Sequence, residues 1–246
     1  MDMIKKYYEE NLDGMDHFGF NDHHKRIIGI LNREKRGKLL DVGCGNGFLA
    51  EKLKNIGYEV YGMDVSLNQV KRARKSGIKA VKASAEEKFN YKNNYFDVVV
   101  LSEVLEHLFE PENCLRECYR VLKKNGMLII GIPNTSCLQA RLAMFFLGES
   151  QFVTYPYVTH PHIRMFSRGS ILKLLKKYNF KVKEIWGANW FSVRYTRKNA
   201  EILDENKNPV EFNWTGLLRV LFWMKWNIFS HFPFLSQTIL VKSMKM

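Results

Sequence analysis

The segment Asp41-Val42-Gly43-Cys44-Gly45-Asn46-Gly47 constrains this chain more than any other. It closes a short apolar run, Lys38-Leu39-Leu40-Asp41-Val42, and opens a helical pattern with Phe48, Leu49, Leu53 and Ile56 apolar, ended by Gly57. Glycines at alternate positions let the backbone turn where a side chain would forbid it and let a ligand come close. The next apolar run, Tyr58 to Met63, ends at Asp64. A carboxylate there can accept hydrogen bonds from both hydroxyls of a ribose. Strand, glycine loop, helix, strand and acid in this order predict a nucleoside site at the edge of a parallel sheet.

The rest of the chain continues the alternation. A helix is predicted over Ser66 to Lys75, a strand over Ile78 to Val81, and a buried strand over Phe96 to Leu101. A helix from Pro111 to Leu122 starts on a proline suited to helix entry, and Asn125-Gly126 turns into a strand over Met127 to Ile132. Helices at Thr135 to Leu147 and Ser170 to Tyr178 and strands at Phe180 to Trp186 and Gln237 to Val241 complete the series. Two helical segments, roughly Met3 to Asn11 and Asn21 to Arg33, precede it. Repeated strand–helix order implies an α/β fold with a mostly parallel sheet covered on both faces and right-handed crossovers.

The nucleoside is narrowed by what the loop is not. A dinucleotide fingerprint needs a third glycine where Phe48 stands, and the Asp41 carboxylate would repel phosphate. No GxxxxGK[ST] loop occurs. Asp41 suits a ligand carrying an amine, and S-adenosylmethionine (SAM), with its ribose, adenine, amino-acid tail and sulfonium, fits every feature.

On these residues the chain resembles class I SAM-dependent methyltransferases, the broad type 11 or type 23 group. Leu39 to Gly47 matches the first motif and Tyr61-Gly62-Met63-Asp64-Val65-Ser66 the second; Ala83-Ser84-Ala85-Glu86 lies where the family contacts adenine. Phe96 to Leu108 matches the fourth-strand motif, and Leu115 to Pro133 the fifth-strand hairpin. The stretch from Ile132-Pro133-Asn134-Thr135 to Pro161-His162-Ile163-Arg164-Met165-Phe166-Ser167 is also similar to MetW-type proteins and to methyltransferases of lipid and glycan biosynthesis. The resemblance implies a Rossmann-like, seven-stranded, mostly parallel sheet flanked by helices, with a helical N-terminal segment and a C-terminal aromatic helical insertion. It implies that Gly43, Cys44, Gly45 and Gly47 line the methionine part of SAM and that Asp41 orients its amine. Asp64 would bind the ribose, Val65 would pack on the adenine, and Ser84 and Ala85 would flank its edge. Leu101 and Ser102 would complete the amino-acid pocket. S-adenosyl-L-homocysteine would be the product.

Methyl transfer needs alignment of acceptor and methyl group above all, and a hydroxyl acceptor also needs its proton removed. Glu103 and His107 follow the fourth strand and would share a face if the segment were helical. His162, with His160 and Arg164, lies in the loop after the fifth strand. Glu103, His107 and His162 are therefore the catalytic candidates. His160 and His162 could ligate a metal, but no carboxylate nearby in sequence completes a set, so no metal is expected.

The charge bears on the acceptor. Lys and Arg exceed Asp and Glu to give +13, concentrated from Gln69 to Ala85 and from Ser150 to Lys183, where no acid interrupts. A strongly basic chain raises the question of nucleic acid. Yet Leu101-Ser102-Glu103-Val104 replaces the [DN]PP[YF] of base-nitrogen methyltransferases, and no cysteine stands where cytosine-C5 enzymes place their nucleophile. The expected acceptor is a small or lipid-like, anionic molecule methylated at oxygen. An RNA acceptor and a non-catalytic SAM-binding regulator are the alternatives.

All five tryptophans lie in the last quarter, and the helical stretch Asn213 to Ser230 is apolar almost all round. Such a helix is buried in a core, a homodimer contact or a lid, or it lies on a membrane surface, here through 214–234. The expected organisation is one domain, 1–246, with an N-terminal cap (1–36), a SAM-binding core (37–187), a helical insertion or lid (188–234) and a final strand (235–246). The four cysteines are not in CxxC spacing, and no secretory signal opens the chain, so reduced thiols and a cytoplasmic or membrane-peripheral protein are expected.

Overall fold

The computed structural model describes residues 22–147, 162–188 and 233–246. Their elements run α1 (Asp22–Leu31), β1 (Lys38–Val42), α2 (Phe48–Asn55), β2 (Glu59–Asp64), α3 (Leu67–Lys75), β3 (Lys79–Lys82), β4 (Phe96–Ser102), α4 (Pro111–Val121), β5 (Leu122–Pro133), α5 (Leu138–Leu147), α6 (Arg168–Lys177), β6 (Phe180–Ala188) and β7 (Thr238–Lys245). A single turn of 3₁₀ helix, Leu105–His107, follows β4. The predicted helices near Met3 and over Asn213 to Ser230, as well as His160 and the tryptophans beyond Trp186, lie outside the described residues.

The strands form one seven-stranded sheet in the order β3-β2-β1-β4-β5-β7-β6. Pairs from β3 to β5 are parallel, whereas β7 runs antiparallel to both β5 and β6. This is the Rossmann-like, mostly parallel sheet expected, with an antiparallel edge. Side chains alternate across the sheet, so a strand buried on both faces must be apolar at successive positions. Leu39, Val98, Val100 and Ile129 feed a core on one face, and Leu40, Val99, Leu101, Leu128 and Ile130 feed the core on the other. In α4, Cys114, Leu115, Cys118 and Val121 recur at helical spacing and are buried. All four cysteines are buried thiols, none in a disulfide among the described residues.

Local chemistry sets the boundaries. Ser66 caps α3 by accepting from Gln69 N, and Ser167 with Ser170 forms a reciprocal box at the start of α6. The predicted Asn125-Gly126 turn lies inside β5 as an irregularity: Asn125 has φ 60°, and the pairing with β4 jumps from Phe96–Leu122 to Val98–Met127. The strand predicted to begin at Met127 thus starts earlier, at Leu122, because the turn loops out without breaking the pairing with β4.

Candidate active site

The first strand crossing of the parallel sheet, where β1 has β2 on one side and β4 on the other, places the glycine loop at the strands' C-terminal ends. The amides of Gly43 and Cys44 both donate to the Met63 carbonyl, at 2.7 and 3.0 Å. This pins the loop to the end of β2. Gly43 (φ +70°) and Gly47 (φ +85°) are held by close packing: a Cβ would stand 2.6 Å from Val104 Cγ2 in the first case and 2.9 Å from Ala73 Cβ in the second. Gly45 differs, since at φ +52° its Cβ would meet nothing within 4 Å. That open space is a cradle for a ligand. Cys44 enters the loop through its backbone, while its thiol is buried over Gly62.

Two buried carboxyls face this loop. Asp64 accepts from Gly45 N at Oδ2 and Ser66 N at Oδ1, both at 2.9 Å. These donors favour its charge, but burial outweighs them and raises its affinity for a proton. Burial, followed by the charge of Asp64, pushes Asp41 up to about 7. A pair of buried carboxyls that forms no ion pair among the described residues suits a cationic ligand with hydroxyls. Val65, Ser84 and Ala85 are half-buried around the end of β2, and the Asp64 carbonyl accepts from Ala83 N at 2.9 Å, which draws the Ser84–Ala85 stretch in. At the end of β4, Leu101 is buried, and the Ser102 hydroxyl is buried without a hydrogen-bond partner. The donor set fits SAM: Asp64 for the ribose, Asp41 for the amine, Gly45 for close approach and Ser102 as an unused polar group.

The catalytic candidates are arranged by tertiary contacts rather than by a helix. Glu103 has φ 56°, a strained conformation for a side-chain-bearing residue, and donates its amide to the Gly131 carbonyl at 2.8 Å. The condition for Glu103 and His107 to share a helical face is not met, because only Leu105–His107 coil, as a single 3₁₀ turn. What meets there is Glu106, His107 and His162. The two imidazoles touch edge to face with centroids 4.9 Å apart, and His107 Nε2 lies 3.9 Å from Glu106 Oε1. The amides of Ile163 and Arg164 both donate to the Glu106 carbonyl at 3.0 Å, and the Arg164 guanidinium bonds the Phe109 carbonyl, delivering the 162–166 segment to this turn. A carboxylate does accompany His162, contrary to the sequence-based expectation, since Glu106 is remote in sequence and adjacent in space. Its only sequence signal was its place beside His107 after β4.

Comparison with known proteins places the chain in a family. A profile of the type 23 methyltransferase domain matches residues 15–185. The chain belongs to this methyltransferase family. It is a SAM-dependent methyltransferase. Among curated relatives, the ubiquinone biosynthesis O-methyltransferase of Colwellia psychrerythraea is 28% identical over 175 residues, covering 69% of this chain and 71% of the relative. The mitochondrial enzyme of the same name from Rattus norvegicus is 32% identical over 159 residues, covering 61% of this chain and 46% of the relative. Among solved structures, a SAM-dependent methyltransferase from Thermotoga maritima has a TM-score of 0.65 at 20% identity, covering 98% of this chain and 99% of that one, a likeness in fold.

Proposed function

We propose that this methyltransferase acts on an oxygen of a small or lipid-like acceptor. The carrying observation is the Glu106–His107–His162 group beside the cofactor loop, which sets basic and acidic side chains where an acceptor hydroxyl would be deprotonated. Bound SAM supplies an electrophilic methyl group on its sulfonium. The residues of the chain do the rest: Asp64 and Asp41 hold the ribose and amine, Val65, Ser84 and Ala85 enclose the adenine, and Leu101 and Ser102 close the amino-acid end. Glu103, His107 and His162 orient the acceptor and take its proton. The O-methyltransferase names of the curated relatives support this reading.

A lipid-like acceptor, with peripheral membrane contact, is supported by α5, where Phe145 and Phe146 are 80% and 71% exposed. No helix among the described residues is long and apolar enough to cross a membrane. Of the cap (1–36), the helical insertion or lid (188–234) and the 214–234 stretch expected from the sequence, only 22–36, 188 and 233–234 belong to the described residues. Incubating the full chain with methyl-labelled SAM and fractionated cell extract tests the reading. Label is expected in the lipid or small-molecule fraction as a base-stable ether; label confined to RNA overturns it.

A further inference from the structure

We propose that Val104 is a positioning residue that couples the cofactor loop to the turn carrying Glu106 and His107, so that SAM binding at the loop also orders that turn. The coupling starts at a side-chain contact. The branched side chain of Val104 stands where Gly43 lacks one: a Cβ on Gly43 would lie 2.6 Å from Val104 Cγ2 and 3.7 Å from Cγ1. Gly43 is itself pinned, since its amide donates to the Met63 carbonyl at the end of β2.

The backbone after β4 holds Val104 in this place. The chain leaves the strand at Ser102 and turns at Glu103, whose φ is 56° and whose amide donates to the Gly131 carbonyl of β5 at 2.8 Å. Val104 follows directly, 8% exposed, with Leu105 and Leu108 beyond it in the same core. A β-branched side chain has few rotamers, so Val104 cannot answer a shift of the loop by swinging aside. In a close-packed interior, movement of one partner alone opens a void or makes a clash.

From Val104 the connection runs through main-chain bonds. The His107 amide donates to the Val104 carbonyl at 3.0 Å and closes the turn. Within it, the Glu106 carbonyl accepts from Ile163 N and Arg164 N, both at 3.0 Å. A second clasp lies at Thr135, whose amide and hydroxyl both donate to the Phe166 carbonyl at 3.0 Å. The segment carrying His162 thus hangs from the turn at one end and from the end of β5 at the other. Only the first of these clasps is tied to the glycine loop. A Cβ on Gly45, at the crest of that loop, would meet nothing within 4 Å, so a ligand filling this space restricts the loop. A loop held still holds Val104, and Val104 holds the two Glu106 bonds. Such coupling is reciprocal: an ordered turn favours the ligand as the ligand favours the turn. The chemical use of His107 and His162 rests on the O-methyl transfer proposed above; the coupling itself does not.

The test follows amide hydrogen exchange by NMR in the purified full chain, with and without SAM, beside SAM affinity by calorimetry. In the wild type, saturating SAM is expected to slow exchange roughly fivefold or more at Ile163 and Arg164, as well as at the loop amides of Gly43 and Cys44. In Val104→Ala the slowing at Ile163 and Arg164 is expected to fall below about twofold, while the loop amides stay protected and SAM affinity changes by less than about threefold. Val104→Ile, which keeps the branch over Gly43, is expected to restore the slowing. Undiminished slowing at Ile163 and Arg164 in Val104→Ala, or none in the wild type, overturns the proposal. Should Val104→Ala not fold, Val104→Cys, with one γ atom in place of two, is measured instead, and undiminished slowing there overturns it equally. Failure of the wild type to bind SAM would strike the methyltransferase reading itself and the coupling with it. Failure confined to the Ile163 and Arg164 amides leaves that reading standing, so the two are distinguishable.

Discussion

The amide of Gly45 donates to Asp64 Oδ2 at 2.9 Å, which fastens the open crest of the glycine loop to the acid at the end of β2. One carboxylate thus serves the loop and, in the proposed binding mode, offers its remaining lone pairs to the ribose. Asp64→Ala removes both and leaves the Gly45 and Ser66 amides without their acceptor. Hydrogen bonds to a charged group contribute about 1.5–3 kcal/mol. SAM affinity is therefore expected to fall by roughly 10- to 100-fold by calorimetry. An unchanged affinity would remove the ribose assignment.

Asp41 should make cofactor binding depend on pH. Its carboxyl is raised from 3.8 to about 7 by burial and then by Asp64, so the folded apo chain binds a proton that the unfolded chain releases. The stability this contributes is full below pH 4 and is lost as pH rises through 7, a change on the order of 4 kcal/mol. A cationic amine favours the ionised form, so SAM binding should release a proton and weaken below pH 7. Calorimetry in buffers of different ionisation enthalpy at pH 6 checks the release, and Asp41→Asn should abolish it.

Gly43 and Gly45 should separate stability from binding. An alanine at Gly43 is forced to φ +70° with its Cβ 2.6 Å from Val104 Cγ2, and should cost about 2–3 kcal/mol of stability. An alanine at Gly45 meets no protein atom, so it should cost only about 1 kcal/mol yet reduce SAM affinity at least tenfold, because its methyl group enters the ligand's space. Thermal melts and SAM titrations of both variants check the contrast; equal effects on binding would contradict it.

Arg120 gathers the segment that follows Ser84 and Ala85. Its guanidinium donates to the Phe89 and Tyr91 carbonyls, to Asn93 Oδ1 and to the Glu117 carboxylate. Glu117 in turn accepts from Phe89 N at 2.7 Å. Arg120→Ala should destabilise the chain by about 2–3 kcal/mol, and Arg120→Lys should recover less than half, since an ammonium cannot span these acceptors. Chemical denaturation with both variants measures this.

Much of the fold was legible along the chain because its signals are local. A glycine at φ > 0 is needed wherever the loop bends, and apolar runs with period two or 3.6 report burial within a few residues. Gly43, Gly45, Gly47, Asp41 and Asp64 were therefore identifiable at once, as were the strands that flank them. The described elements were close to their predicted limits, apart from β5, where an irregularity at Asn125 shifts the register and the pairing resumes, and β7, which runs on to Lys245.

The other half of the site was decided by tertiary structure. Nothing along the sequence specifies that β7 inserts antiparallel between β5 and β6, or that the 162–166 segment hydrogen-bonds to the Glu106 carbonyl. Glu103 and His107 share no helical face because the Glu103 backbone turns into the left-handed region and pairs with Gly131, breaking helical periodicity. So the sequence by itself determined the cofactor half, where steric and charge requirements act between neighbours in the chain. Only the tertiary structure decided the proposed acceptor half, where Glu106 and His162 meet through long-range backbone bonds that no local pattern encodes.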